Sequence, residues 1–313
     1  MDYTPIRITT IPPNKELSFE LFIHFKDQFL KYVDNGDEIN NEKLLKLKKQ
    51  NIARFYIRGV DEDNYQIFLD EILEQSMEDP DLDIDKKVNL VDGTAKTALD
   101  KMTKDPSSEK SVRLTKSATS SLRKLVFSDP NALKVMFGKT ASQDEILMQH
   151  SLNVSALSIS LAQLKNATIE VQDNLGLAGI LHDIGIVKFT KEEQSLFHKV
   201  FTSLEPEEKK VYQQHPQMAV DMLSSNKAIT PEILDLILHH EEKLSGDGYP
   251  QRKSQLTFEQ EALSMINCYD KKVTLLNLTP KEAVKSMKTD ELGNYNLELI
   301  NTFTKHLKEK ELI

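Results

Sequence analysis

The first 75 residues combine two kinds of hydrophobic pattern. Apolar residues recur at every second position in three short segments, 5–10, 18–25 and 54–58. A period of two is typical of strands that are buried on one face. Charged segments with a few apolar positions at 41–50 and 61–76 predict helices. The pattern therefore predicts a small α/β module over residues 1–75, with Leu21 and Phe25 on the same face of its second strand.

An acidic, turn-rich stretch at 78–83 separates this module from the residues that follow. Beyond this stretch, residues 84–104 and 109–128 are each compatible with a helix, and turn residues interrupt the pattern between them. We therefore predict a helical connector over residues 76–140.

The last part of the chain has helical periodicity and no strand signal. Prolines follow threonines at Pro231 and Pro280, where a missing backbone N–H costs nothing in the first turn of a helix. We predict an all-α helical bundle over residues 141–313. The fold class predicted for the whole chain is α+β.

Composition narrows the classes of function. The 40 basic residues against 49 acidic residues give a formal net charge of −9, which disfavours a general DNA-binding surface. No apolar run reaches the length of about 18 residues that predicts a membrane span, and the first residues lack a signal-peptide pattern, so we expect a cytoplasmic protein. The single cysteine, Cys268, excludes intrachain disulfides and Cys-based zinc clusters.

Histidines indicate where the chemistry is concentrated. Five histidines lie in the predicted bundle: His150, His182, His215, His239 and His240. The last two are adjacent, and the other intervals are each about the length of a helix, a turn and another helix. This spacing lets successive helices bring imidazoles to a common interior point, as helical bundles do when they bind metals. A lone histidine on an apolar stripe, such as His150, is more often a core residue bonded to a backbone carbonyl. Several uncompensated imidazoles in one core would be costly, which favours a metal site.

A carboxylate and a histidine pair add to this pattern. Asp183 follows His182 after an apolar run, and a buried carboxylate at that point needs a partner or a metal. The His-His-Glu segment at 239–241 ends a predicted helix, although a solvent-exposed histidine pair remains an alternative. The loop at 245–250 (Ser-Gly-Asp-Gly-Tyr-Pro) follows closely and is rich in turn residues.

Taken together, these motifs resemble the HD-GYP family, which belongs to the HD superfamily of metal-dependent phosphohydrolases. The matching segments are His150-Ser151, His182-Asp183-Ile184-Gly185, His215-Pro216, His239-His240-Glu241 and Gly248-Tyr249-Pro250. The resemblance spans about residues 142–305. It implies an all-α bundle around two, sometimes three, metal ions, and hydrolysis of the bacterial second messenger cyclic di-GMP.

The resemblance also implies a set of ligands. His150, His182 and Asp183 match the ligands of one metal, and Asp183 would bridge to a second metal. The residues that would complete the site are His215, His239, His240 and Asn267. The two ions would be divalent transition metals, most commonly iron or manganese, and nickel or zinc would also suit imidazole and carboxylate ligands. Asp183 and Asp270 are the predicted catalytic residues.

The chain departs from the family pattern at several positions. Ile186 stands where the family commonly has a lysine that is thought to hold the substrate's phosphate, and Lys188 should point away from that position. Ile146 replaces a glutamate that supplies a third metal in some members, and the Arg-Pro-Tyr motif expected after Asp270 is absent from the sequence. Asn267 replaces an aspartate and brings no charge. These departures predict a weaker or altered site for two metals.

Two functions follow from the resemblance. The first is a cyclic di-GMP phosphodiesterase, in which a hydroxide that bridges metals about 3.5–4 Å apart attacks phosphorus and the N-terminal module senses a signal or docks a partner. The second is a weak or inactive signalling module that keeps its metals and binds GGDEF-type proteins through Gly248, Tyr249 and Pro250. The intact histidines favour the enzyme. Cys268 is a poor candidate nucleophile, because its apolar segment indicates packing.

Overall fold

The structure is a computed structural model that describes residues 2–139 and 141–313, without the side chain of Asp144. Met1 and Thr140, which begin the predicted N-terminal module and end the predicted connector, lie outside the described residues. The fold is α+β, as the sequence predicts: a small sheet near the N-terminus is followed by a body of helices.

The N-terminal module is built on a four-stranded antiparallel sheet. Its strands are β1 (Tyr3–Arg7), β2 (Leu21–Phe25), β3 (Gln28–Val33) and β4 (Arg54–Arg58). The spatial order is β1-β4-β2-β3, so β1 and β3 are the edge strands. Tyr3 pairs with Arg58 across β1 and β4, and Phe22 pairs with Tyr56 across β2 and β4.

Strand β3 is missing from the sequence prediction, and the alternation predicted for β2 is wrong. Leu21 is buried whereas Phe25 is exposed, although the two were predicted to share a face. The reason is a register shift between Leu21 and Phe22, since an irregularity of this kind changes the faces on which later side chains lie. A two-residue turn of positive φ at Lys26 and Asp27 then reverses the chain into β3.

Helices α1 (Asn41–Lys49) and α2 (Glu62–Glu78) complete the N-terminal module. The segment predicted as a connector contains α3 (Ile84–Lys104), α4 (Glu109–Ser128) and α5 (Ala132–Phe137). Both long helices start at polar side chains that accept a backbone N–H, Asp83 for α3 and Ser108 for α4. Helix α4 packs against α2 and also against the bundle that follows, so this segment is part of the body of the protein.

The bundle consists of longer helices joined by short turns and 3-10 segments. Its α-helices are α6 (Ile146–Leu164), α7 (Ile169–Leu181), α8 (Lys191–Gln194), α9 (Pro206–Tyr212), α10 (His215–Leu223), α11 (Pro231–Leu238), α12 (Phe258–Thr274), α13 (Pro280–Thr289) and α14 (Leu297–Glu309). Helix α6 packs closely on α7 and α12, and α10 packs on the 3-10 helix Ile184–Lys188. As predicted, Pro231 and Pro280 begin helices.

The hydrophobic core is continuous from the sheet to the end of the bundle. One cluster of buried side chains extends from Ile6 in β1 to Leu307 in α14. A second, smaller cluster surrounds Phe197 and includes Ile186 and Tyr249. Within the described residues, the structure contains no helix with both the length and the apolar character needed to cross a membrane.

A buried charge joins the sheet to the helix that carries His150. Arg7, at the end of β1, lies 3.0 Å from Asp100 in α3 through Nη2 and also pairs through Nη1 with Glu145. Glu145 directly precedes α6. The N-terminal module and the first helix of the bundle are therefore linked by an ion pair as well as by apolar packing.

Candidate metal centre

Helix α6 carries His150 into the interior, where its ring is fully buried. The Nδ1 atom of His150 lies 2.7 Å from Oδ2 of Asp270 on α12, and Asn153 donates to the other oxygen of this carboxylate at 3.0 Å. A carboxylate that accepts from Nδ1–H fixes both the orientation and the tautomer of an imidazole. Asp270 therefore directs Nε2 of His150 towards the centre of the bundle.

Helix α7 ends at the next pair of residues, His182 and Asp183. The Nδ1–H group of His182 donates to the carbonyl of Gly179 at 2.8 Å, which turns Nε2 towards His150. Gly185 then allows α10 to approach closely, because a Cβ at this position would lie 2.3 Å from the carbonyl oxygen of His215. The glycine thus brings the next histidine beside Asp183.

His215 and His240 approach from the opposite side. His215 begins α10 and donates from Nδ1 to the carbonyl of Tyr212 at 2.6 Å. His240 follows α11 and donates from Nδ1 to the carbonyl of Ile237, also at 2.6 Å. The two Nε2 atoms are 2.9 Å apart, and both rings are fully buried.

The side chains form two groups of possible metal ligands that share Asp183: one contains His150, His182 and Asp183, and the other contains Asp183, His215 and His240. Within each group the ligand atoms lie within 4.8 Å of one another. The Oδ2 atom of Asp183 is 3.3 Å from Nε2 of His182, and Oδ1 is 3.2 Å from Nε2 of His215. Each oxygen of this one carboxylate therefore faces a different pair of imidazoles. We call these five residues the Asp183 cluster.

These side chains are suited to binding cations, because their hydrogen-bond acceptor atoms face one another. Since the Nδ1–H groups of His215 and His240 point to backbone carbonyls, Nε2 of each neutral ring carries a lone pair, and two such lone pairs at 2.9 Å repel each other. The Oδ1 atom of Asp183 is buried beside them and has no hydrogen-bond partner among the described residues. A positive ion between these atoms removes the repulsion and satisfies the oxygen.

Burial and the neighbouring charges set the protonation states of His240 and Asp183. Burial lowers the pKa of His240 to about 4, and the charges of His182 and His215 act in the same direction, although Asp183 opposes them. A histidine with so low a pKa is neutral at pH 7. Burial alone would raise the pKa of Asp183, but His182 and Lys271 outweigh it and hold that pKa well below its usual range. The carboxylate therefore stays ionised.

His239 does not join either group. Its Nδ1 atom lies 2.8 Å from the carbonyl oxygen of Asp235, and its Nε2 atom lies 3.2 Å from Oε1 of Gln251. Gln260 on α12 also approaches the ring, at 3.2 Å from Nδ1. Adjacent residues at the end of a helix point in different directions, and only His240 of this pair reaches Asp183. The assignment of His239 as a ligand stays a prediction.

Asn267 lies at the edge of the first group. Its Oδ1 atom is 3.0 Å from Nε2 of His150, and its Nδ2 atom donates to the carbonyl of His240 and to Glu241 at 3.2 Å each. These donor contacts set the amide so that its oxygen faces the same space as the imidazole lone pair. Asp270 contacts His150 at Nδ1, on the side of the ring away from the cluster, and this contact suits a residue that positions the imidazole. Its predicted catalytic role stays a prediction.

The loop that follows the His-His-Glu segment folds back onto it. Glu242 is fully buried and accepts the backbone N–H groups of residues 251–253 at 2.6 to 3.0 Å. A Cβ at Gly248 would lie 2.4 Å from the nitrogen of Lys243, so only glycine permits this approach. Tyr249 is buried and Pro250 is exposed. The predicted protein-binding role of Gly248, Tyr249 and Pro250 stays a prediction.

Two further polar side chains near Asp183, Lys271 and Tyr212, were missed by the sequence analysis, which named Glu241 only as part of a motif. Lys271 on α12 forms an ion pair with Glu241 and donates to the hydroxyl of Tyr212 at 3.1 Å. Burial alone would lower the pKa of Lys271, but Glu241, Tyr212 and Asp183 together raise it well above its ordinary value. A signal existed in the sequence: Lys271 is four residues after Asn267, and positions i and i+4 share one face of a helix.

Apart from Asn267, the family positions that differ in this chain carry apolar side chains, and the nearby Lys188 faces solvent. Ile186 is buried in the cluster around Phe197, and Lys188 is exposed, as the sequence indicated. Ile146 is the first residue of α6. These positions therefore bring no carboxylate or ammonium group to the Asp183 cluster.

Comparisons with known proteins agree with this geometry. The sequence model of the HD domain family matches residues 106–296, which is more than half of the chain. The chain therefore belongs to the HD domain family. Its predicted membership of the HD-GYP group within that family is also confirmed. The match begins at residue 106, so it includes α4, which the sequence analysis placed in the connector.

The chain is also similar to one relative of named activity and to one solved structure. The chain is 34% identical over 125 residues to the cyclic di-GMP phosphodiesterase PA4108 of Pseudomonas aeruginosa, a match that covers 40% of this chain and 29% of that protein. The chain thus spans under a third of the length of that relative. The structure of Bd1817, described as an HDG"Y"P protein from Bdellovibrio bacteriovorus, superposes with a TM-score of 0.76 over 98% of this chain and 100% of that chain. At 24% identity, this likeness supports the fold.

Proposed function

We propose that this protein is a metal-dependent phosphodiesterase that hydrolyses cyclic di-GMP in bacterial second-messenger signalling. One observation carries the proposal. Asp183 lies between two pairs of buried imidazoles whose Nε2 lone pairs face one another and face its carboxylate oxygens. Such an arrangement is costly without positive charge and is suited to two cations that share one carboxylate.

Hydrogen bonds fix the orientation of the proposed ligands. His182, His215 and His240 donate their Nδ1–H groups to backbone carbonyls. His150 donates to Asp270 through Nδ1, so Nε2 is the ring nitrogen that each of the four imidazoles turns towards the cluster, as metal binding requires. Asp183 stays ionised because its neighbours lower its pKa. The cluster therefore offers one ionised carboxylate and four oriented imidazoles to cations.

Bound divalent cations would lower the pKa of a water molecule and offset the charge of a phosphodiester. Histidine and carboxylate ligands without thiolate suit iron or manganese, and also nickel or zinc. In the hydrolysis that we propose, a water oxygen adds to phosphorus, one P–O ester bond breaks, and the leaving oxygen takes up a proton. The residues contribute by holding the ions and by excluding bulk water from four fully buried imidazoles.

The substrate is inferred from the relative. PA4108 is named a cyclic di-GMP phosphodiesterase, and its match to this chain is 34% identical. The matched region and the family membership make a cyclic dinucleotide the substrate class that we expect, because both place this chain among HD-GYP proteins. A cytoplasmic location would give the enzyme access to such a substrate.

The test is hydrolysis of cyclic di-GMP by purified protein loaded with Mn²⁺, or with Fe²⁺ under reducing conditions. Products are separated by liquid chromatography, and metal content is measured on the same samples. We expect turnover together with about two metal ions per chain. The Asp183→Ala variant is the control, and we expect it to lose both turnover and metal.

The alternative predicted from the sequence is a module that keeps its metals, turns over weakly or not at all, and acts through GGDEF-type partners. The same assay separates the two functions. Metal-loaded protein that shows no turnover above the Asp183→Ala control would exclude the phosphodiesterase and leave the signalling module. Protein that folds but binds no metal would exclude both.

A further inference from the structure

Asp183 is the member of the Asp183 cluster whose side chain reaches solvent. The side chains of its four histidines are 0% exposed, whereas that of Asp183 is 8% exposed. Lys271 and Glu241 are more exposed, at 12% and 14% of their side-chain surfaces. Glu241 also lies beside the buried imidazoles, since its Oε1 atom is 3.9 Å from Nε2 of His215 and of His240. We call the side of the cluster formed by Asp183, Glu241 and Lys271 the opening.

Lys271 is held in place at this opening. Its ammonium group contacts a carboxylate oxygen of Glu241, donates to the hydroxyl of Tyr212 and lies 5.4 Å from the centre of the Tyr212 ring. A lysine has three N–H donors. The described residues accept two of them, so the third remains available to a ligand at the opening.

A second donor lies beside Glu241. The hydroxyl of Tyr249 is buried near this carboxylate, and no described residue forms a hydrogen bond of good geometry with it. Burial raises the pKa of this phenol and the neighbouring Glu241 raises it further, so the hydroxyl stays protonated. A buried donor without a partner carries a desolvation cost unless a ligand group accepts from it.

We propose that Lys271 binds a non-bridging oxygen of the substrate's phosphate, and that the Tyr249 hydroxyl donates to the same group. This inference rests on the proposed function and adds a substrate-binding residue to it. The phosphodiester carries a negative charge, so the ammonium group holds it against Asp183 by a charge-assisted hydrogen bond. The ion pair with Glu241 and the contacts with Tyr212 keep Lys271 in that position before the substrate arrives.

The neighbouring residue provides a matched control. Lys272 lies on the same helix, has a side chain that is also 12% exposed, and pairs with Glu291 at 3.0 Å. Glu291 also pairs with Lys243, and among the described residues Lys272 forms its ion pair with Glu291 and not with Asp183 or Glu241. Lys272→Met therefore removes an equivalent buried ion pair without touching the opening.

The experiment compares wild type with Lys271→Met, Lys271→Arg and Lys272→Met, each loaded with Mn²⁺. The double variant Lys271→Met/Glu241→Gln is included because it leaves no unpaired carboxylate. Three quantities are measured: metal content, the dissociation constant of inorganic phosphate by calorimetry, and the KM and kcat for cyclic di-GMP. We expect unchanged metal content and a phosphate affinity about 10- to 100-fold weaker in both variants that carry Met at 271. Arginine should restore part of the affinity, and Lys272→Met should behave as wild type.

The outcomes distinguish this inference from the proposed function. If Lys271→Met and the double variant bind phosphate as wild type does, Lys271 does not hold the substrate, even if cyclic di-GMP is hydrolysed. If both variants lose their metal, or if wild type binds no phosphate, the inference is also overturned. If wild type does not hydrolyse cyclic di-GMP but its phosphate affinity depends on residue 271, the inference stands and the substrate proposal fails.

Discussion

Two buried charged clusters lie in the same bundle and differ in one respect. In the Glu291 cluster, the carboxylate of Glu291 accepts from Lys243 and Lys272 at 3.0 Å each and from Asn294 at 2.8 Å. Each charged group of the Glu291 cluster therefore faces a group of opposite charge, and Glu291 also faces the hydrogen-bond donor of Asn294. In the Asp183 cluster, imidazole lone pairs and a carboxylate face each other, and Oδ1 of Asp183 has no partner among the described residues.

The difference indicates which cluster is structural and which is prepared for a ligand. A buried polar network with complete pairing stabilises the fold, and a network with facing acceptors needs an added ion. The Glu291 cluster also influences its surroundings: burial, together with the charge of Glu291, raises the pKa of Cys268 to about 12. The thiol is therefore protonated, which agrees with a packing role for Cys268.

The largest effect that we expect comes from Asp183→Asn. The amide removes the charge shared by both ligand groups, so metal content should fall from about two ions per chain towards none. Wild type should also be stabilised by about 2.7 kcal/mol when free metal is present at 100 times its dissociation constant, and the variant should lack this gain. Elemental analysis and thermal unfolding with and without a chelator measure both quantities. Full metal content in the variant would show that Asp183 does not bridge two ions.

Glu291→Gln should act on stability alone. Removal of one partner from a buried ion pair leaves two lysines uncompensated and should cost about 3 kcal/mol, with metal content unchanged. Burial alone would raise the pKa of Glu291, but Lys243, Asn294 and Lys272 lower it to about 2. Because this folded-state pKa is below the unfolded value, the stabilisation is present above about pH 4.5 and is lost as the pH falls towards 2.

Denaturant unfolding at several pH values tests this prediction. Between about pH 4.5 and 2, wild type should lose more stability than Glu291→Gln, because only wild type has this carboxylate to protonate. Equal pH dependence in the two proteins would contradict the assignment. Loss of metal from Glu291→Gln would show that the two clusters are coupled.

Asp270→Asn should weaken the site without abolishing it. The amide still fits beside His150 but no longer offers a charged acceptor to Nδ1–H, and loss of such a partner typically reduces metal affinity about 10- to 100-fold. Competition with a chelating dye measures the change. Thr274→Val is a suitable control, because its hydroxyl also contacts Asp270 at 3.3 Å but does not touch the histidine. An unchanged affinity in Asp270→Asn would remove the positioning role.

The smallest effect should come from His239→Gln. The ring of His239 contacts Asp235 and Gln251, and it is outside both ligand groups. We expect metal content close to that of wild type, whereas His240→Gln should lose at least one of two ions. The same elemental analysis compares the pair. If His239→Gln loses as much metal as His240→Gln, the ligand set predicted from the resemblance is correct and the ring must turn when metal binds.

Much of the bundle follows from local sequence. The start of α12 is an example: Thr257 and Gln260 form a capping box, in which each side chain satisfies a backbone N–H of the other residue. The apolar stripe that includes His150 likewise predicts its inward direction, because positions three and four apart share a helix face. Such features depend on neighbours within a few residues, so the sequence shows them directly.

The sheet was harder to predict. The hairpin between β2 and β3 turns at Lys26 and Asp27, which lack the Asn-Gly or Gly-rich signal of two-residue turns. The shift at Leu21 and Phe22 depends on pairing with β3, and a pattern within one strand does not report its pairing. Phe25 was therefore assigned to the face of Leu21 and lies exposed.

The sequence by itself determined the family, the α+β class, and the histidines and the aspartate that converge, because their order and spacing follow the helices that carry them. Only the tertiary structure decided which ring nitrogens face Asp183, that His239 points elsewhere, and that Lys271 stands at the opening beside Glu241. The physical reason is that spacing along a helix sets the face on which a side chain lies. The distance between side chains of different helices is set by how closely those helices pack, as Gly185 shows where α10 reaches the end of α7.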